Sequence, residues 1–158
     1  MNTSKLITYL NWKNFEDLIA IIFDKAGHTV IENFRFKDEY TRFEIDVLSY
    51  KFPYIFAIDC KYHKNRASSP MKSAAIAQMN RVESLIESFP VISESLIKQL
   101  HLPIKRLIFV VPLIISWGNH NIHLVENIPI VSFNRLSGFL QDIDEFREDI
   151  ISFELSLS

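Results

Sequence analysis

Arg42-Phe-Glu-Ile-Asp-Val-Leu-Ser-Tyr50, a break at Lys51-Phe52-Pro53, and Tyr54-Ile-Phe-Ala-Ile-Asp-Cys-Lys-Tyr-His63 form the stretch on which the fold turns. Both runs are dense in aromatic and β-branched residues and the break holds a proline, so they read as neighbouring strands joined by a tight connection. Alternation puts Asp59 and Lys61 on one face of the second strand and Cys60 on the other, beside Ile58 and Phe56. In the first strand, Phe43, Ile45 and Val47 fall on the face opposite Asp46, so Asp46 can approach the same point as Asp59 and Lys61. Two carboxylates and an ammonium in an apolar sheet are costly unless they pair or hold an ion. Aspartate oxygens without soft ligands favour magnesium or manganese over zinc.

Upstream, residues 11–27 carry Trp12, Phe15, Leu18, Ile19, Ile22, Phe23 and Ala26 at helical spacing. Asn11 or Asn14 suits the start and Gly27 the end of this helix. Glu16 falls at the edge of the apolar stripe, close to Phe23. Residues 28–36 alternate imperfectly as a first strand, and Lys37-Asp38-Glu39 turns the chain back into residues 42–50, giving an antiparallel meander of three strands. Glu44 reads as a rim residue paired with Arg42.

Downstream, Met71 to Phe89 is expected to form a long helix with a stripe of Ala75, Ile76, Met79, Val82, Leu85, Ile86 and Phe89. Phe89-Pro90 is expected to end it, and Ile92 to Leu100 to form a further short helix. Residues 106–113 form a near-continuous apolar run, the mark of a strand buried on both faces. Ile128 to Phe133 reads as a last core strand, followed by a helix capped by Asn134 and running through Leu136, Phe139, Leu140 and Ile143. Residues 150–157 alternate as an edge strand or a dimer arm. Cys60 is expected to face the core and be inert. His120 and His123 lack the further partners a zinc site needs.

A chain of 158 residues with 48% hydrophobic content fits one globular domain spanning 1–158. One cysteine excludes an internal disulfide and points to a reducing compartment. No signal leader and no membrane-length apolar run is evident, so a cytoplasmic protein with no membrane partner is the expectation. With three glycines, a Gly-rich phosphate loop is excluded. The net charge of −2 argues mildly against a nucleic-acid partner. Its distribution argues the other way: residues 60–82 contain Lys61, Lys64, Arg66, Lys72 and Arg81 and no acid, while acids gather near the C-terminus.

Glu44-Ile45-Asp46 and Asp59-Cys60-Lys61, one hairpin apart and flanked by helices, resemble the PD-(D/E)XK nuclease superfamily, in particular Mrr-type endonucleases and archaeal Holliday-junction resolvases. The resemblance implies an α/β fold with a restriction-endonuclease-like core, a central mixed β-sheet flanked by helices. It also implies a divalent-metal-dependent endonuclease acting on DNA. Asp46 and Asp59, with Glu16 and the backbone carbonyl of Cys60, would hold Mg2+ or Mn2+. Lys61 would orient the attacking water and stabilise charge on the phosphate. Gln78 stands where the resembled groups carry a glutamine near the active site. His63, Lys64, Arg66 and Lys72 would contact the nucleic acid. A homodimer is implied, possibly within a larger DNA-processing assembly, because cutting both strands needs two sites. The rival expectations are a catalytically silent nuclease-fold subunit and an unrelated protein in which the charges form a buried ion network.

Overall fold

The computed structural model describes residues 12–62, 69–118 and 120–157. Helix α1 (Trp12–Lys25) runs to a turn at Gly27, whose φ of 92° is a left-handed conformation that glycine adopts without steric cost. The chain then forms β1 (Thr29–Lys37), β2 (Arg42–Lys51) and β3 (Tyr54–Lys61), the expected antiparallel meander. Helix α2 (Ser69–Leu100) crosses over to β4 (Leu107–Ser116), which lies parallel to β3. The hairpin β5 (His123–Val125) and β6 (Ile128–Ser132) leads through a 3-10 turn (Phe133–Arg135) to α3 (Leu136–Gln141), α4 (Ile143–Phe146) and β7 (Phe153–Ser156).

The result is a mixed seven-stranded sheet in the order β1-β2-β3-β4-β6-β5, with β7 on β4. Leu107–Val110 of β4 pair with β7 in antiparallel fashion, and Ile114–Ser116 pair with β6 in parallel, so both strands share the β4 edge that faces away from β3. Residues 153–156 therefore form an edge strand on β4, the first of the two expectations for this segment.

Alternation sorts the core into two layers. Phe56, Ile58 and Cys60 of β3 pack with Phe15, Ile19 and Phe23 of α1 and with Phe139 of α3. Ile55 and Ala57 point the other way, against Val82, Leu85, Leu96 and Leu100 of α2. Helices thus cover both faces of the sheet, and β3, buried along nearly its whole length, reads as a continuous apolar run for that reason. Among the described residues no helix is long and apolar enough to cross a membrane.

Three local expectations are corrected. The helices expected at 71–89 and 92–100 are one helix, with Pro90 inside it. Pro90 lies on the exposed side, where water can bond the carbonyl its ring leaves free, and burial of Leu85, Leu96 and Leu100 in one cluster holds the two halves in line. The helix expected through Leu136 and Ile143 is divided at Asp142 into two short ones.

The third correction concerns β2. Ile45 and Phe43 pack on the α2 side with Phe34 and Phe36, whereas Val47 packs on the α1 side. Alternation therefore changes face at Asp46 and, in the neighbouring strand, at Asn33, whose φ is 53°. Asparagine tolerates the left-handed region better than most residues, because its short polar side chain can bond locally.

The packed second half of α2 gives a direct test. Leu96 is 1% exposed and Val91 88% exposed. In urea unfolding, Leu96→Ala is expected to cost about 2–5 kcal/mol and Val91→Ala less than about 0.5 kcal/mol.

Candidate functional site

The β2–β3 ladder runs from Lys51–Tyr54 to Val47–Ile58 and goes no further. Beyond it, Asp59 and Lys61 remain paired only to β4, opposite Ile114 and Ser116. Asp46 fills the opening: its Oδ2 accepts the Cys60 amide at 2.9 Å, in place of a backbone carbonyl. A side chain substitutes for the ladder, which satisfies the amide and brings a carboxylate into the sheet.

Around this point the structure brings together Glu16, Asp46, Asp59 and Lys61. Glu16 is fully buried on α1, and neither of its oxygens has a hydrogen-bond partner among the described residues. Burial, with the Asp46 carboxylate beside it, pushes its pKa up to about 8. Asp46 is raised to about 6 by burial, against the opposing hydrogen bond from Cys60 and with the Asp59 charge adding to the rise. Lys61 Nζ lies 3.1 Å from Asp59 Oδ2. That oxygen is buried and has no hydrogen bond of acceptable alignment, so the contact is an ion pair between point charges. Cys60 faces the α1 layer, and burial pushes its thiol well above the ordinary range. The cysteine is thus the inert core residue expected.

Gln78 is fully buried on α2. Its Nε2 donates to the Ala57 carbonyl at 2.7 Å and its Oε1 accepts from Arg81 at 2.9 Å. Ala57 and Asp59 share a face of β3, so Gln78 fixes the backbone just before the acid and acts as a positioning residue. Lys72 is exposed, 3.9 Å from Glu126. His63, Lys64 and Arg66 lie outside the described residues. Glu44 does not pair with Arg42: its carboxylate accepts from Arg35 Nε at 3.0 Å and from Asn33 Nδ2 at 3.1 Å. The register places Arg35 directly opposite Glu44, and Arg42 opposite Lys37.

The carboxyl ends of the parallel strands also hold residues that motif reading missed. Lys61, Ser116 and Ser132 are register partners across β3, β4 and β6. His120 lies over them, with Nε2 2.5 Å from Ser116 Oγ and Nδ1 2.7 Å from the Asn121 carbonyl. With Nδ1 donating to that carbonyl, a neutral ring accepts the Ser116 hydroxyl proton at Nε2. Ser132 Oγ lies 2.7 Å from Asn134 Oδ1 and 3.1 Å from the His120 carbonyl, two acceptors for its one proton. His120 stacks on the exposed His123 with centroids 5.1 Å apart. The other side of the same strand ends carries Tyr62, Trp117 and Phe133, clustered against Phe15. A serine closing each of two apolar strands was the available sequence signal for the polar row.

Among the described residues no three His, Cys, Asp or Glu side chains are arranged to enclose a metal ion. The carboxylates stand as successive neighbours, Glu16 by Asp46 and Asp46 by Asp59.

No protein-family profile and no curated protein matches the chain. Among solved structures it is similar to the crystal structure of AF1548, a protein of unknown function, at 15% identity and a TM-score of 0.46, over 82% of this chain and 55% of that one. The chain spans about half the length of that neighbour.

The raised carboxyls give stability a pH dependence with a definite sign. Between the ordinary glutamate value of 4.5 and about 8, the folded protein keeps a proton on Glu16 that the unfolded chain has lost. Stability therefore falls as pH rises through this window, by up to roughly 1.4 kcal/mol per pH unit. His28, lowered to about 4 chiefly by burial, contributes the opposite slope at lower pH in any Glu16 variant and cancels in a difference. Urea unfolding with chelator present is expected to find Glu16→Gln equal to wild type near pH 4.5 and increasingly more stable toward pH 8. A difference that does not change with pH would contradict the raised pKa.

Proposed function

We propose that the chain is a divalent-metal-dependent nuclease with a restriction-endonuclease-like core, hydrolysing DNA phosphodiester bonds at the opening between β2 and β3. The observation that carries this reading is the meeting of Asp46, Asp59 and Lys61 where the ladder stops, with the Glu16 carboxyl, which has no hydrogen-bond partner among the described residues, buried beside Asp46. The opening lies at the carboxyl ends of parallel strands, where open α/β sheets commonly bind ligands.

The donors are of the type a hard divalent cation takes, although Glu16, Asp46 and Asp59 stand as successive neighbours rather than around one point. Among the described residues both oxygens of Glu16 and Oδ2 of Asp59 are buried without a hydrogen-bond donor, and burial, with neighbouring carboxylate charge adding to it, raises the pKa values of Glu16 and Asp46. Asp46, Asp59 and Glu16, with the Cys60 carbonyl, would hold Mg2+ or Mn2+. When bound, the ion would polarise a phosphate oxygen and acidify a water. Glu16 would give up its proton on holding the ion. Lys61, held by Asp59, carries a fixed positive charge that offsets charge developing on the phosphate and helps orient the attacking water. Gln78 keeps β3 in place through Ala57. Lys72, with His63, Lys64 and Arg66, would position the phosphate backbone.

Linear, supercoiled and four-way-junction DNA incubated with magnesium or manganese, and separately with chelator, tests the reading. Metal-dependent cleavage is expected from wild type. Asp46→Asn and Lys61→Ala are each expected to lower the rate by about 100-fold or more while far-ultraviolet circular dichroism is unchanged. Equal cleavage by wild type and both variants would sink the assignment.

A further inference from the structure

We propose that the β1–β2 hairpin is a second nucleic-acid contact, a phosphate-binding wing beside the candidate site. This rests on the nuclease reading and adds how the substrate backbone is held.

Register sets the two sides of the hairpin apart. Arg35 faces Glu44 and Lys37 faces Arg42, while Phe36 faces Phe43. The aromatic side packs into the α2 layer, with Phe34, Phe36 and Phe43 stacked ring on ring at 5.8 and 5.1 Å. That packing makes the hairpin a braced platform. An open groove of about 630 Å³ along the hairpin is lined by Arg35, Phe36, Lys37, Arg42, Phe43 and Glu44.

Three of the four charged lining residues are cationic. Glu44 is matched by Arg35, and among the described residues neither Lys37 nor Arg42 makes an ion pair. At the hairpin tip, Asp38 accepts the Tyr40 and Thr41 amides at 2.8 and 2.6 Å, which turns its carboxylate to the backbone. Toward the site, Asn33 donates to Glu44 at 3.1 Å and accepts from Lys13 of α1 at 3.0 Å, and Lys13 is paired with Asp17, so the unpaired cations of this face are Lys37 and Arg42 among the described residues.

Arg42 lies four residues along β2 from Asp46, about 13 Å at strand spacing. That equals about four phosphate steps along a duplex axis. Cations at this distance, on the strand that carries Asp46, suit a phosphate backbone extending from the point of cleavage. An acidic polypeptide offers anions of the same sign, but nothing would tie its register to Asp46.

Fluorescence anisotropy of the full chain with a short labelled duplex, in chelator and across a range of salt, tests the wing. Lys37→Ala with Arg42→Ala is the test variant. Lys25→Ala with Lys98→Ala, the same charge change at other exposed positions, is the control. The test variant is expected to flatten the plot of log affinity against log salt by about 0.9 per lost phosphate contact, close to 2 in all, with the control at the wild-type slope. A test variant with the wild-type slope, from a protein that still cleaves DNA, would overturn the wing and leave the nuclease reading standing. Wild type without salt-dependent affinity for DNA would overturn both. Binding of polyglutamate as tight as that of DNA, and equally weakened in the test variant, would overturn the nucleic-acid assignment in favour of an acidic polypeptide.

Discussion

The structure depends on one substitution in its hydrogen bonding: where β2 and β3 part, the Asp46 carboxylate, not a backbone carbonyl, accepts the Cys60 amide. A sheet interior tolerates an open ladder only if the freed amides find acceptors. Supplying the acceptor from a carboxylate closes that account and installs a charge at the centre of the fold. Asp59 then lies on the neighbouring strand and Glu16 approaches from the α1 layer, so three acids are confined by elements that cannot move apart without exposing Phe15, Ile19, Phe56 and Ile58. Hydrophobic packing holds the carboxylates together against their mutual repulsion.

Two features relieve part of that repulsion. Lys61 sets an ammonium 3.1 Å from Asp59, and Glu16 retains its proton well above the usual range. Neither supplies hydrogen bonds to the buried oxygens of Glu16. A purely structural ion network gains most when each charge has a well-aligned partner, and a half-satisfied one is less favourable than an apolar core. It is this condition that the proposed binding of a cation and an anionic substrate would relieve. The register row of Lys61, Ser116 and Ser132 extends its polar character along the ends of three strands.

The β1–β2–β3 meander, the later apolar strands and the place of Asp46 and Asp59 on neighbouring strands were legible in the sequence, because β3 is buried on both faces and its polar residues stand out against an apolar run, whereas the order in which β4, β5, β6 and β7 join the sheet was not. Glu16 was legible as a residue at the margin of a stripe, although its complete burial was not, since periodicity does not report how deeply a neighbouring layer reaches. The change of face at Asn33 and Asp46 was not legible. It depends on a left-handed asparagine opposite an aspartate, and alternation counted along one strand cannot detect a twist shared by two. Pro90 was misread for a related reason: the local rule against proline in helices is outweighed when residues on both sides bury into one core. The Glu44 pairing with Arg35 arises from cross-strand register, which outranks proximity in sequence.

The most direct measurement is a carbon-13 NMR titration of the Glu16 side-chain carboxyl, with and without magnesium. Without metal, its midpoint should lie near 8, and magnesium should shift it well downward by displacing the proton. A midpoint in the ordinary glutamate range that magnesium leaves unmoved would contradict both the confined carboxylate cluster and the proposal that it holds a cation.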